Sequence, residues 1–158
     1  MTVLVRDGSC LPPLQDPVVV SIGNFDGLHR GHQSVLQKLQ SVGEPESSRV
    51  LMSFYPHPSV VLGYAKEMPR ISSWRSMLEL LEGYGISVFY LKHFTRAFSK
   101  VGAVDFCREL LVNELRAAHV VVGEDAAVGK GREGTPERLK EILAPENCQL
   151  HVVDFIKN

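Results

Sequence analysis

The stretch VVVSIGNFDGLHRGH, residues 18–32, joins a β-branched apolar run to a glycine-rich turn and a histidine pair. Val18 to Ile22 is bounded by Pro17 and Gly23, the pattern of a strand buried on both faces. From His32 onward, Val35, Leu36, Leu39 and Val42 recur at helical spacing, and Gly43 and Pro45 stop the helix. The histidine pair therefore lies on a strand-loop-helix junction.

The alternation continues along the chain. Val50 to Phe54 and Ile86 to Leu91 read as strands, separated by a helix over Trp74 to Glu82 that turns Trp74, Met77, Leu78 and Leu81 inward. Val104 to Leu115 reads as a further helix and His119 to Val122 as a strand. Pro136 to Leu143 follows as a helix capped by Thr135, and Leu150 to Ile156 as the last strand. Strands alternating with helices imply right-handed crossovers, so the expected fold is α/β: a Rossmann-like parallel sheet of about five strands with helices on both faces. In such sheets ligands bind beyond the carboxyl ends of the strands. Three unusual segments belong there: GNFDGLHRGH, FYPHPSVV and VGEDAAVGKGREG.

Composition narrows the partners. The 158 residues fit one domain with a real core, and 44% hydrophobic with 22% charged residues is near the globular average. A formal charge of -1 gives no sign of nucleic-acid affinity. Cys10, Cys107 and Cys148 lie far apart without a Cys-x-x-Cys pair, which disfavours a disulfide framework or zinc knuckle and points to a reducing cytoplasm. The N-terminus lacks the pattern of a secretory leader, and VVVSI is far shorter than a membrane span. A cytoplasmic protein with neither nucleic acid nor membrane as partner is expected.

Gly23 and Gly27 let the backbone turn tightly and approach a ligand, and Gly31 gives close passage where the helix begins. Free N–H groups at a helix start favour an anion. Two imidazoles nearby add donors where charge moves during phosphoryl or nucleotidyl transfer. His29 and His32, three apart, can face one ligand across the first turn. Two other readings stand beside this one. The pair, with His57, is a potential metal site, but it lacks the His-Glu-x-x-His spacing and a cysteine cluster. Alternatively both are exposed loop histidines beside an Asx turn at Asn24 or Asp26.

The motif G-x-F-D-G-x-H-x-G-H resembles the adenylyltransferase module of prokaryotic bifunctional riboflavin kinase/FAD synthetases, within the His-x-Gly-His nucleotidyltransferase superfamily. Further matches follow in family order: SFYPHPSVVL, ISSWRSMLELLEGYGIS, HFTRAFSK and VVGEDAAVGKGREG. The resemblance implies a nucleotidyltransferase fold and transfer of an adenylyl group from MgATP to FMN, giving FAD and pyrophosphate. It implies that His29 and His32 contact ATP phosphates, with Gly23, Asn24, Phe25, Asp26, Gly27 and Gly31 shaping the nucleotide pocket. Lys130 and Arg132 would meet phosphate through a mobile loop, or else belong to a solvated one. On the flavin side it places Pro56, His57, Pro58, Phe106 and Asp125, the last a flavin- or magnesium-side position. Asp26 also suits a structural turn, His57 a rigid turn with a solvated imidazole, and Phe106 the core. Mg²⁺ would be held chiefly by ATP oxygens, since it keeps several waters and rarely uses an all-protein cage.

Two departures bear on activity. The family loop continues Asp-Phe-x-Phe-Gly, whereas here it reads Asp125-Ala126-Ala127-Val128-Gly129, which removes two rings that would contact an isoalloxazine. The family's later Ser-Ser-Thr-x-x-Arg segment and its riboflavin kinase domain are not in this sequence, so a single nucleotidyltransferase-like domain over 1–158 with impaired turnover is expected. Ile71-Ser72-Ser73-Trp74-Arg75 imitates the missing motif but reads as a capped helix start. A nucleotidyltransferase for another phosphorylated acceptor, and a non-catalytic nucleotide-binding or interaction module, remain as alternatives.

Overall fold

The computed structural model describes residues 1–7, 9–23, 30–64, 66 and 73–154. The run Val18–Ile22 is buried along its whole length because it forms a central strand. The strands are β1 (Val3–Arg6), β2 (Val18–Ile22), β3 (Arg49–Tyr55), β4 (Val88–His93), β5 (Ala117–Gly123) and β6 (Gln149–Val153), all parallel, in the order β1-β4-β3-β2-β5-β6. Val20 pairs with Val50 on one side and Val120 on the other, so continuous valine runs fill the middle of the sheet.

Among the described residues there is one strand more than the sequence pattern predicts. β1 has only four residues at the sheet edge, with Val5 alone buried, and so carries little periodic signal.

The helices are α1 (Arg30–Ser41), the short α2 (Pro58–Val61), α3 (Trp74–Gly83), α4 (Ala103–Asp105) and α5 (Pro136–Leu143). α4 runs on into a π-helical segment, Phe106–Glu114, so the predicted helix over 104–115 exists but is wound more widely. Ser73 and Thr135 cap α3 and α5 by accepting N–H bonds from Ser76 and Arg138.

Alternate residues of each strand point to opposite faces. Val19, Leu51, Phe89 and Val121 pack against α1 and α3. Val20, Val50, Met52, Val120 and Val122 pack against the π-helical segment and α5. β2 therefore feeds a helix on one face while its neighbour β5 feeds a helix on the other, which opens a crevice between their carboxyl ends. Buried Arg49 fixes the α1–β3 connection, donating to the carbonyls of Leu39, Val42, Glu44 and Ser47 at 2.8–3.1 Å. No helix among the described residues is long and apolar enough to cross a membrane.

Candidate active site

β2 ends at the crevice. The N–H of Gly23 donates to the Met52 carbonyl at 3.0 Å, which holds the chain beside β3 until it leaves the sheet. His32 is half-buried in the first turn of α1, and Gly31 belongs to the same turn. Asn24, Phe25, Asp26, Gly27 and His29 lie outside the described residues. Two residues before Gly23, the fully buried Ser21 hydroxyl has no hydrogen-bond partner among the described residues.

Beyond the ends of β3, β4 and β5 lies a cavity of about 540 Å³, within the range of small-molecule sites. Four phenylalanines form its aromatic wall. Phe54 ends the covered part of β3, Phe94 follows β4, Phe98 begins a 3₁₀ turn, and Phe106 begins the π-helical segment. Phe54 lies 6.0, 6.1 and 6.3 Å from the rings of Phe94, Phe98 and Phe106, and Phe94 meets Phe98 edge-on at 5.7 Å. These spacings are those of favourable aromatic pairs. Ser59 and Ser99 add hydroxyls, while Ala127 and Val128 give the β5 loop an apolar but non-aromatic share of the lining.

Phe106, only 2% exposed, belongs to the core and to the cavity lining at once. The wide winding that starts at this residue presents it to both, as π-helical turns often do near sites.

The segment FYPHPSVV holds the last two residues of β3, a two-residue link and the four residues of α2, rather than one irregular loop. Pro58 opens α2 and lines the cavity. His57 caps that helix: the N–H of Ser59 donates to its Nδ1 at 3.1 Å, which leaves the ring proton to Nε2. Pro56 and His57 are half-buried outside the described lining, and Asp125 is exposed outside it as well.

The loop after β5 carries several backbone hydrogen bonds. Val128 and Gly134 exchange backbone hydrogen bonds at 3.1 and 2.7 Å, and the N–H of Lys130 donates to the Val101 carbonyl at 2.8 Å. Gly129, at φ 81°, passes so close to α4 that an added Cβ would sit 2.8 Å from the Ala103 nitrogen. Arg132 has φ 57°, a left-handed conformation uncommon for a side chain of its size, and this exposed residue is part of the cavity lining. Lys130 is exposed and outside the described lining.

Polar groups support the same edge. Lys92 sits 5.1 Å over the Phe98 ring while bonding Asp7 at 3.1 Å, which holds a cation against the back of the aromatic wall. Tyr90 donates to Glu114 at 2.7 Å. Burial first, and then Glu114, raises the phenol well above its ordinary range. Burial pushes the Cys107 thiol up to about 12 and that of Cys148 to about 11, so neither is a thiolate nucleophile at neutral pH.

Matching against family models then places residues 11–158 in the family described as FAD synthetase. The chain belongs to the FAD synthetase family. It is 38% identical over 121 residues to the bifunctional riboflavin kinase/FMN adenylyltransferase of Escherichia coli strain K12, a match covering 76% of this chain and 39% of that protein. The Bacillus subtilis protein of the same name is 32% identical over 128 residues, covering 79% and 40%. That of Buchnera aphidicola subsp. Schizaphis graminum is 30% identical over 140 residues, covering 88% and 45%. The chain thus spans about two fifths of the length of these relatives. The crystal structure of a macrolide-efflux protein from Streptococcus pneumoniae superposes with a TM-score of 0.80 at 22% identity, covering all of this chain and 52% of that one. At that identity it establishes the α/β fold.

Sequence reasoning did not name Phe54, Phe94 or Phe98 as site residues. The signal was available: each lies inside a segment carrying the family resemblance, SFYPHPSVVL or HFTRAFSK.

Proposed function

We propose that this chain transfers the adenylyl group of MgATP to the phosphate of FMN, releasing FAD and pyrophosphate. The observation that carries the proposal is the aromatic cavity at the carboxyl edge of a FAD synthetase family sheet, beside the crevice at which β2 ends. Phe54, Phe94, Phe98 and Phe106 offer the isoalloxazine ring edges and faces, and Ser59 and Ser99 offer hydroxyls to its polar rim. The β5 loop adds Ala127 and Val128 to the lining in place of the family's two rings, so the aromatic contact rests on these four phenylalanines.

A phosphate oxygen of FMN attacks the α-phosphorus of ATP in line. One P–O bond forms as the bond to the β-phosphate oxygen breaks and pyrophosphate leaves; a bound Mg²⁺ would be held chiefly by ATP oxygens and would offset the charge that develops there. No covalent enzyme intermediate is needed, so the chain's work is positioning and charge stabilisation. His29 and His32 supply donors to the ATP phosphates. Gly23, Asn24, Phe25, Asp26, Gly27 and Gly31 shape the nucleotide pocket, the glycines giving the triphosphate backbone clearance. Pro56, His57 and Pro58 brace the flavin side, with Asp125 at its rim, and Lys130 lends positive charge to the approaching nucleotide.

Incubation with MgATP and FMN, followed by chromatography of the products, tests the proposal. FAD and pyrophosphate should accumulate together. ATP binding without FAD would overturn it in favour of a non-catalytic nucleotide-binding module. Pyrophosphate release only with a different phosphorylated acceptor would reassign the second substrate, a reading favoured by the non-aromatic Ala127 and Val128 in the cavity lining.

A further inference from the structure

Resting on that functional reading, we infer that Arg132 is the specificity-determining residue of the cavity: its guanidinium binds the phosphate of the flavin substrate and so selects FMN over unphosphorylated riboflavin.

Among the described residues that line the cavity, Arg132 is the only charged one. The rest of the wall is aromatic, aliphatic, glycine or hydroxyl. A planar flavin satisfies such a wall, but its phosphate does not. Arg132 also has no hydrogen bond or ion pair of its side chain among the described residues. The carboxylate best placed in sequence to neutralise it, Glu133, is spent elsewhere: its Oε1 accepts the N–H of Ala103 at 2.7 Å. The guanidinium therefore keeps its donor fork unspent beside a site for a ligand that carries a dianion. Arginine's planar fork matches a phosphate through two parallel bonds.

The backbone adds an independent observation. Arg132 holds φ 57°, where glycine is the residue of least cost, and follows Gly131 at φ 61°. The Val128–Gly134 bridge, the Lys130-to-Val101 bond and the Glu133-to-Ala103 bond impose this conformation from both sides. These backbone bonds on both sides present the Arg132 side chain from a defined position, one better suited to glycine.

That strain supplies a discriminating variant. Arg132→Gly removes the cation while relieving the backbone, so the fold is retained or slightly stabilised. Dissociation constants for FMN, riboflavin and ATP should be measured by flavin fluorescence and calorimetry on the wild-type chain, Arg132→Gly and Arg132→Lys.

The inference predicts that Arg132→Gly weakens FMN binding by about tenfold or more, the scale of a charge-assisted phosphate contact. Riboflavin and ATP affinities should be unchanged, and Arg132→Lys should recover part of the loss. The FMN preference of the wild type should also fall with added salt, more than that of Arg132→Gly. Unchanged FMN affinity in Arg132→Gly would overturn it, as would a fall in ATP affinity alone, which would assign the guanidinium to the nucleotide. If the folded wild type bound neither flavin at any concentration, the functional reading itself would fall, and the inference with it.

Discussion

Glu133 and Ala103 are joined across 30 residues: Oε1 of Glu133 accepts the Ala103 N–H at 2.7 Å. Ala103 opens α4, which runs directly into the π-helical segment headed by Phe106, and Glu133 directly follows Arg132. One bond therefore sets the cation of the cavity in register with its aromatic wall. It also satisfies a helix N-terminal donor that Gly102 cannot cap with a side chain.

Glu133→Ala should leave that donor unpaired, lower stability by about 1–2 kcal/mol and raise KM for FMN while leaving KM for ATP near its wild-type value. Glu133→Gln keeps an acceptor and should retain most of both. Thermal unfolding and steady-state kinetics of the two variants check this; equal effects on both substrates would detach the bond from the flavin side.

Two glycines in the same loop should respond differently to alanine. Gly129 has φ 81° and its added Cβ would lie 2.8 Å from backbone nitrogen, which cannot yield as a flexible side chain does. Gly131 has φ 61° with nothing within 4 Å. Gly129→Ala should thus cost clearly more than Gly131→Ala, whose penalty is the left-handed strain of about 1–2 kcal/mol alone. Denaturant midpoints of both variants measure the gap.

On the α1 side of the sheet, Nδ1 of His119 and Nε2 of His151 are 3.1 Å apart on neighbouring strands. Such a contact needs one nitrogen bare, and protonating both rings would set two donors face to face. Burial, then His119 and Lys38, lower the pKa of His151. The folded chain therefore takes up this proton less readily than the unfolded chain, whose histidines titrate near about 6.5. Stability should fall as pH drops through that value and level off once the lowered folded pKa is passed. His151→Gln should flatten melting temperature against pH across this window; an unchanged slope would place the acid sensitivity elsewhere.

Much of the fold was legible because its strands are unusually plain. Val18–Ile22 and His119–Val122 are short β-branched runs and Val50–Phe54 is a short, mainly apolar one, as parallel strands covered on both faces require. β1 escaped because VLVR at an edge buries one residue and no helix pattern frames it. The π winding after Asp105 escaped because Phe106, Cys107, Leu110 and Leu111 fit an α-helical stripe equally well. Pro58 and Phe106, expected on the flavin side, and Arg132, expected at the ATP phosphates, all line the one cavity. The shared wall of Phe54, Phe94 and Phe98 depends on the end of β3 meeting the connection that follows β4, which spacing along the chain does not encode. The left-handed Arg132 was equally invisible, since arginine carries no turn signal of its own.

The claim that the aromatic cavity is the flavin site is tested most directly by titrating FMN into the wild-type chain and Phe98→Ala, in the presence of MgATP, and following flavin fluorescence. Phe98 touches Phe54, Phe94 and Phe106 at once, so its loss opens the wall at its centre. Saturable quenching by the wild type, with about tenfold weaker binding by a folded Phe98→Ala, is the predicted result. Equal FMN affinity in the two proteins would contradict it.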